Sequence, residues 1–220
     1  MTFIGWAQIL TFSLVIWALT KPLGIYMFRV FEGDRQPLPR FFGPIERGLF
    51  ELCGIDPKEQ QDWKDYTFAL LVFSAVTFLI TYAIERLQHV LPLNPQRFGP
   101  VAPDLAFGTA ASFATNTDWQ AYAGESTMSY LTQMAGLAWQ NFISAAAGIA
   151  VMLALARGLT RRAGLGGAKT VGNYWVDLVR SVLYVFLPVC IPLALFLVWQ
   201  GVIQNFSPYV ELTTLEGAKQ

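Results

Sequence analysis

The sequence predicts an all-α polytopic membrane protein, and three observations carry that prediction. Only 14% of the residues are charged and 54% are hydrophobic, whereas about a quarter of an average soluble chain is charged. The charges are missing from four long stretches, residues 1–20, 66–84, 126–156 and 181–210, each able to form a helix across roughly 30 Å of hydrocarbon, which takes about 20 apolar residues. The remaining charges balance, 15 basic against 15 acidic. That balance excludes a nucleic-acid binder, which needs a basic face, and the apolar content excludes a disordered chain.

The first crossing is residues 1–20. No positive residue precedes its apolar run and no small-residue cleavage site precedes Lys21 and Pro22, so it is read as a retained helix and not a signal peptide. Residues 21–65 hold Lys21, Arg29, Arg35, Arg40, Arg47, Lys58 and Lys64 together with eight acids. Within them, Ile45, Leu49, Phe50, Leu52 and Cys53 alternate with Glu46, Arg47 and Glu51, the spacing of an amphipathic helix lying at an interface or on a partner. The second crossing starts at Tyr66 and the third occupies about 127–156. Residues 157–174 form a basic loop in which Arg157, Arg161, Arg162 and Lys169 meet no acid. The fourth crossing, 175–203, precedes a tail over 204–220.

Basic loops stay on the cytoplasmic side. With 157–174 inside, residues 85–125 fall outside, where Arg86 and Arg97 face Glu85, Asp104, Asp118 and Glu125. Residues 21–65 then lie inside, and the N-terminus outside. Two cysteines, Cys53 and Cys190, and a single His89 supply neither a disulfide framework nor a metal site. The third window holds Gln140 and Asn141, followed by Ser144 and the small run 145–148. Amides and small residues suit helix packing, and the same two amides could line a permeation path. Asp177 and Arg180 stand one turn apart and are expected to pair locally.

One apolar stretch is too short to cross. Residues 105–117, LAFGTAASFATNT, span only about 20 Å as a helix, and both flanks are assigned to the outer side. The consistent arrangement is a re-entrant helix over 104–114, started by Pro103 and an acidic cap at Asp104. Bare backbone at that depth must be enclosed by protein or line a water-filled cavity. The segment that follows, residues 115–120, reads TNTDWQ. The helix C-terminus brings partial negative charge to it, and Thr115, Asn116 and Thr117 offer carbonyl and hydroxyl oxygens of the kind that replace the water around a potassium ion. Asp118 has two readings: a carboxylate at a filter mouth that concentrates cations, or a brace bonded to backbone or to Trp119. Trp119 is large enough to brace the returning strand.

No catalytic centre is legible. GLGGAKT, residues 164–170, resembles a phosphate loop, but the pattern needs glycine where Ala163 and Ala168 stand, so no nucleotide is expected on this chain.

Several of these stretches occur in order in one known family. PLGIYMFRVFEG (22–33), LPLNP (91–95), SFATNTDWQAYAGE (112–125), LTQMAG (131–136), QNFISAAAGIAV (140–151) and GNYWVDLVR (172–180) resemble the potassium-binding A chain of the bacterial Kdp potassium-transporting ATPase, from the first helix to Gln220. The resemblance implies a potassium-channel-like fold of four membrane-pore-membrane repeats with an extra N-terminal helix. On it, residues 1–20 are the extra helix and 66–156 the first repeat, with pore helix 104–114, filter 115–120 and ligand positions Thr115, Asn116, Thr117 and Asp118. Asp104, Trp119 and Gln120 support the filter. The family usually has Asn at the place of Asp118. The resemblance further implies a P-type ATPase B subunit, a C subunit and a small F subunit as partners, potassium as the transported ion, and the bacterial cytoplasmic membrane. The chain would be an N-terminal fragment holding one of four filter quarters. A homotetrameric cation channel of one-repeat subunits and a membrane assembly subunit without an ion role are the competing expectations.

Overall fold

The computed structural model describes residues 2–32, 38–161, 169–210 and 212–217. They are all-α, and four helical segments are long and apolar enough to cross a membrane: Phe3–Phe31, Trp63–Leu87, Thr132–Thr160 and Tyr174–Trp199. An isolated antiparallel bridge joins Gln61 to Gly172.

Helix α1, Phe3–Phe31, is started by Thr2, whose hydroxyl accepts from the Gly5 amide at 3.2 Å. It runs on through Lys21 and Pro22, well past the end expected at residue 20. Pro22 removes one intrahelical bond. Ending the helix there would instead expose a whole turn of backbone to a solvent that cannot hydrogen-bond it. Helix α2, Pro39–Cys53, closes on Gly54, whose φ of 64° is left-handed and suited to glycine. Its buried residues are Phe50 and Glu46, while Ile45, Leu49 and Leu52 face outward. Asp62 caps α3, Trp63–Leu87, accepting from the amides of Lys64 and Asp65.

Helix α4, Pro103–Ala114, is the short one, about 18 Å long. It packs along α3 and touches α6. A single turn α5, Gly124–Thr127, leads to the third crossing. That crossing opens as a π-helix, Thr132–Ala138, in which the Trp139 amide donates to the Met134 carbonyl five residues back, and continues as α6, Trp139–Thr160. The fourth crossing is built the same way: α7, Tyr174–Arg180, a π-helix over Ser181–Phe186, and α8, Leu187–Trp199.

Three clusters form the interior. Ala146, Ala147 and Ala150 of α6 let Tyr66 and Ala69 of α3 and Tyr174 and Leu178 of α7 approach closely, the use expected of the small run. Val101, Ala106, Phe113, Met128 and Leu137 pack around α4. Val30 and Phe31 of α1 meet Leu183 and Tyr184. Much of α1 and α8, including Leu14, Trp17, Leu193 and Phe196, is exposed, as a lipid-facing surface would be.

The expected local pair of Asp177 with Arg180 is not formed. Arg157, at the end of α6, binds both Asp177 oxygens, one of them at 2.9 Å, and also reaches Glu32. Tyr66 donates its hydroxyl to Asp177 at 3.0 Å. Arg180 instead pairs with Glu46 at 2.8 Å. Asp177 is 2% exposed, and a buried carboxylate needs several donors at once. The forked Arg157 and Tyr66 converge there; one arginine a turn away cannot replace them. Gly172, at φ 115°, leaves room for this cation: a Cβ there would strike the Arg157 guanidinium. Cys53 and Cys190 are free thiols. Of the 164–170 segment only Lys169 and Thr170 lie within the described residues.

Candidate functional site: the loop at the end of the short helix

The loop after α4 is organised by its backbone. Thr115 ends α4, its amide donating to the Ala111 carbonyl at 3.1 Å. The next three amides also turn back onto the helix: Asn116 to Phe113 at 3.2 Å, and Thr117 and Asp118 to the one Ser112 carbonyl at 2.9 and 3.4 Å. Four consecutive N–H groups are therefore spent on α4. The four carbonyls of residues 115–118 accept no hydrogen bond among the described residues. Asn116 and Asp118 make this fold possible, with φ of 57° and 56°. Asn and Asp tolerate the left-handed region better than other side chains that carry a Cβ.

The side chains add to this. The hydroxyls of Thr115 and Thr117 lie 3.0 Å apart, and Thr115 also donates to Ala111. Ser144 of α6 donates to the Asn116 amide oxygen at 3.2 Å, so the third crossing holds the loop from below. Residues 115–120 are all exposed. The Asp118 carboxylate accepts no hydrogen bond among the described residues; only its backbone amide is tied. Trp119 is 62% exposed and belongs to none of the three clusters. Asp104 is not the cap: Ala102 occupies that position without a side-chain bond, and Asp104 sits in the first turn of α4, where its charge still suits the helix dipole.

Gln140 and Asn141 separate. Gln140 is buried and donates to the Thr77 hydroxyl of α3 at 3.1 Å, a packing role. Asn141 is exposed and lines a cavity of about 360 Å³ with Gln120, Tyr122, Glu125 and Gln133. The Tyr122 phenol in its wall is pushed up to about 12 by burial, then by the Glu85 and Asp118 carboxyls. On the other side of the loop, a groove of about 700 Å³ between α3 and α6 is lined by Ser74, Phe78, Asn116, Ser144 and Gly148.

Three contributors escaped the sequence reading. Ser144 carried only a small-residue signal. Gln88 is buried and makes four bonds, accepting from the Ser129 amide and Thr132 hydroxyl and donating to the Gly99 and Thr127 carbonyls. Its signal is the adjoining LPLNP turn, where Asn94 donates to the Gln88 carbonyl. Glu85 is fully buried, although its sequence context suggested a loop charge. Among the described residues no group of three His, Cys, Asp or Glu side chains gathers to hold a metal.

A sequence profile of the potassium-transporting ATPase A subunit family, KdpA, matches residues 10–220. The chain belongs to the KdpA family. It is similar to the protein named potassium-transporting ATPase potassium-binding subunit from Mesorhizobium japonicum, 59% identical over 220 residues, and to those of the same name from Rhodopseudomonas palustris (56%) and Methylobacterium radiotolerans (54%). In each case all of this chain is covered and 38% of the relative. The KdpA match spans α1 through the tail, including α4 and its loop.

Proposed function

We propose that this chain supplies one quarter of a potassium filter to the potassium-binding subunit of an ATP-driven uptake system. The observation that carries the reading is the set of four carbonyls at Thr115, Asn116, Thr117 and Asp118. With their own amides tied to α4, these oxygens are free to ligate a cation from which water has been stripped. The C-terminus of α4 adds partial negative charge at the same point, and exposed Asp118 would draw cations to the mouth. The exposed loop faces, with Trp119, are where the remaining quarters of the family fold would close the ring.

On this reading potassium is the cargo. ATP hydrolysis belongs to a P-type B subunit, with C and F subunits completing the complex in the bacterial cytoplasmic membrane. The N-terminus and the filter lie outside, and the Arg157–Asp177 end lies at the cytoplasmic face. The chain itself carries out no bond chemistry and binds no nucleotide.

The test is Asn116→Ala in the complete complex. Alanine disfavours the left-handed φ and loses the Ser144 bond, together about 1–3 kcal/mol. Half-saturation of ATPase activity by potassium should rise roughly tenfold or more, with hydrolysis otherwise retained. Unchanged potassium dependence would remove the filter assignment.

A further inference from the structure

Glu85 is fully buried, and neither of its carboxyl oxygens has a hydrogen-bond partner among the described residues. Burying such a group unpartnered is strongly unfavourable. Nearby Arg86 does not answer it, since that guanidinium donates to the Val101 carbonyl. A second buried and unpartnered group is the hydroxyl of Tyr122, four residues beyond Asp118. Two independent relations bring these groups together. The Val101 amide donates to the Glu85 backbone carbonyl at 3.2 Å, and Tyr122 packs on the cluster containing Val101 and Phe113. The Tyr122 hydroxyl is also within electrostatic reach of both Glu85 and Asp118.

We propose that the Tyr122 hydroxyl donates to the Glu85 carboxyl through one buried water, and that this pair fixes the chain leaving the pore loop to α3. Glu85 and Tyr122 are then positioning residues for potassium binding. They touch no ion. Tyr122 stands on the segment that returns from residues 115–120, beside Phe113 in the last turn of α4, so the pair sets the height and tilt of the loop from behind. Ser144 holds the same loop through Asn116, which gives it supports from both flanking crossings. The inference rests on the filter reading above.

The experiment measures ATPase activity against potassium for the complete complex carrying Glu85→Gln, Glu85→Leu, Tyr122→Phe, the Glu85→Leu/Tyr122→Phe pair and Asp118→Asn. Gln keeps an acceptor of the same shape, so Glu85→Gln should stay within about twofold of the parent half-saturation. Glu85→Leu and Tyr122→Phe should each raise it about tenfold at little changed maximal rate, and the double variant should be no worse than either. A Glu85→Gln variant as weak as Glu85→Leu overturns the pair. So do additive effects, or a loss of maximal rate without a shift in half-saturation. If Asp118→Asn reproduces Tyr122→Phe and Glu85→Leu does not, the phenol's partner is Asp118 and the inference is wrong. Failure of the filter reading shows separately, in Asn116→Ala, which leaves both members of the pair intact.

Discussion

Replacing Arg157 by methionine tests the ionic centre at the Arg157–Asp177 end. The side chains of Arg157 and Asp177 are 8% and 2% exposed. Arg157 also binds Glu32 and donates to the Val171 carbonyl at 3.1 Å. Methionine fills similar volume and offers none of these bonds. Asp177 would keep the Tyr66 hydroxyl and lose its cation. Removing one partner of a buried pair typically costs 3–5 kcal/mol, because the other charge is left uncompensated. For a chain of this size that corresponds to a fall of about 10 °C in melting temperature. The same reasoning predicts recovery: Arg157→Met together with Asp177→Leu removes both charges and should regain most of the loss. The assay is thermal unfolding of detergent-solubilised protein for parent, single and double variants. A double variant as unstable as the single one would refute the reasoning, and would mean that the shape of the forked contact decides stability, not the uncompensated charge.

Two further outcomes follow from the polar interior. Gln88→Leu strands four partners, of which Ser129 and Thr132 are buried, and should cost about 3 kcal/mol, while Gln140→Leu loses one bond to Thr77 and also removes an unpartnered buried oxygen, so it should stay within about 1 kcal/mol; melting temperatures of the two separate these cases. Burial works to raise the Glu32 carboxyl, but Arg157 and Arg161 beside it prevail and hold it below its usual range. Its folded value is thus below its unfolded one. The stability it contributes is present above the ordinary carboxylate range and is lost as pH falls through it. The melting-temperature difference between parent and Glu32→Gln should therefore be largest near neutrality and shrink in acid.

The crossings and the short helix were legible because a membrane enforces a simple rule: no charge for about 20 residues, or no crossing. Helix α4 was legible as a violation of that rule by length alone. The end of α1 was not, because Lys21 and Pro22 are stop signals in water and weaker ones where the helix is the only way to satisfy the backbone. The partner of Asp177 was misread for another reason. Spacing along one helix ranks near neighbours, whereas Arg157 arrives from a different crossing. Glu85 was counted with the charges of the outer segment, since a sequence shows charge, not depth. At the loop itself the residue types offered oxygen atoms, but the tying of four amides to α4 depends on backbone angles that only the fold supplies.

The two π-helical stretches have a consequence for how this chain can change length. Closing a turn over five residues, as from Trp139 to Met134, uses one residue more than an α-helical turn does. Each stretch is therefore a slack link. Losing one residue inside Thr132–Ala138 would let the turn tighten to α and leave Ser129 and Thr132 on Gln88 above it, and Ser144 under Asn116 below it. The same loss inside Trp139–Thr160 would rotate every residue beyond it by about 100°, carrying Ala146, Ala147 and Ala150 away from Tyr66 and Tyr174. The third crossing thus has one place where a deletion is absorbed locally, and it lies between Ser129, held on Gln88, and Ser144, held on Asn116.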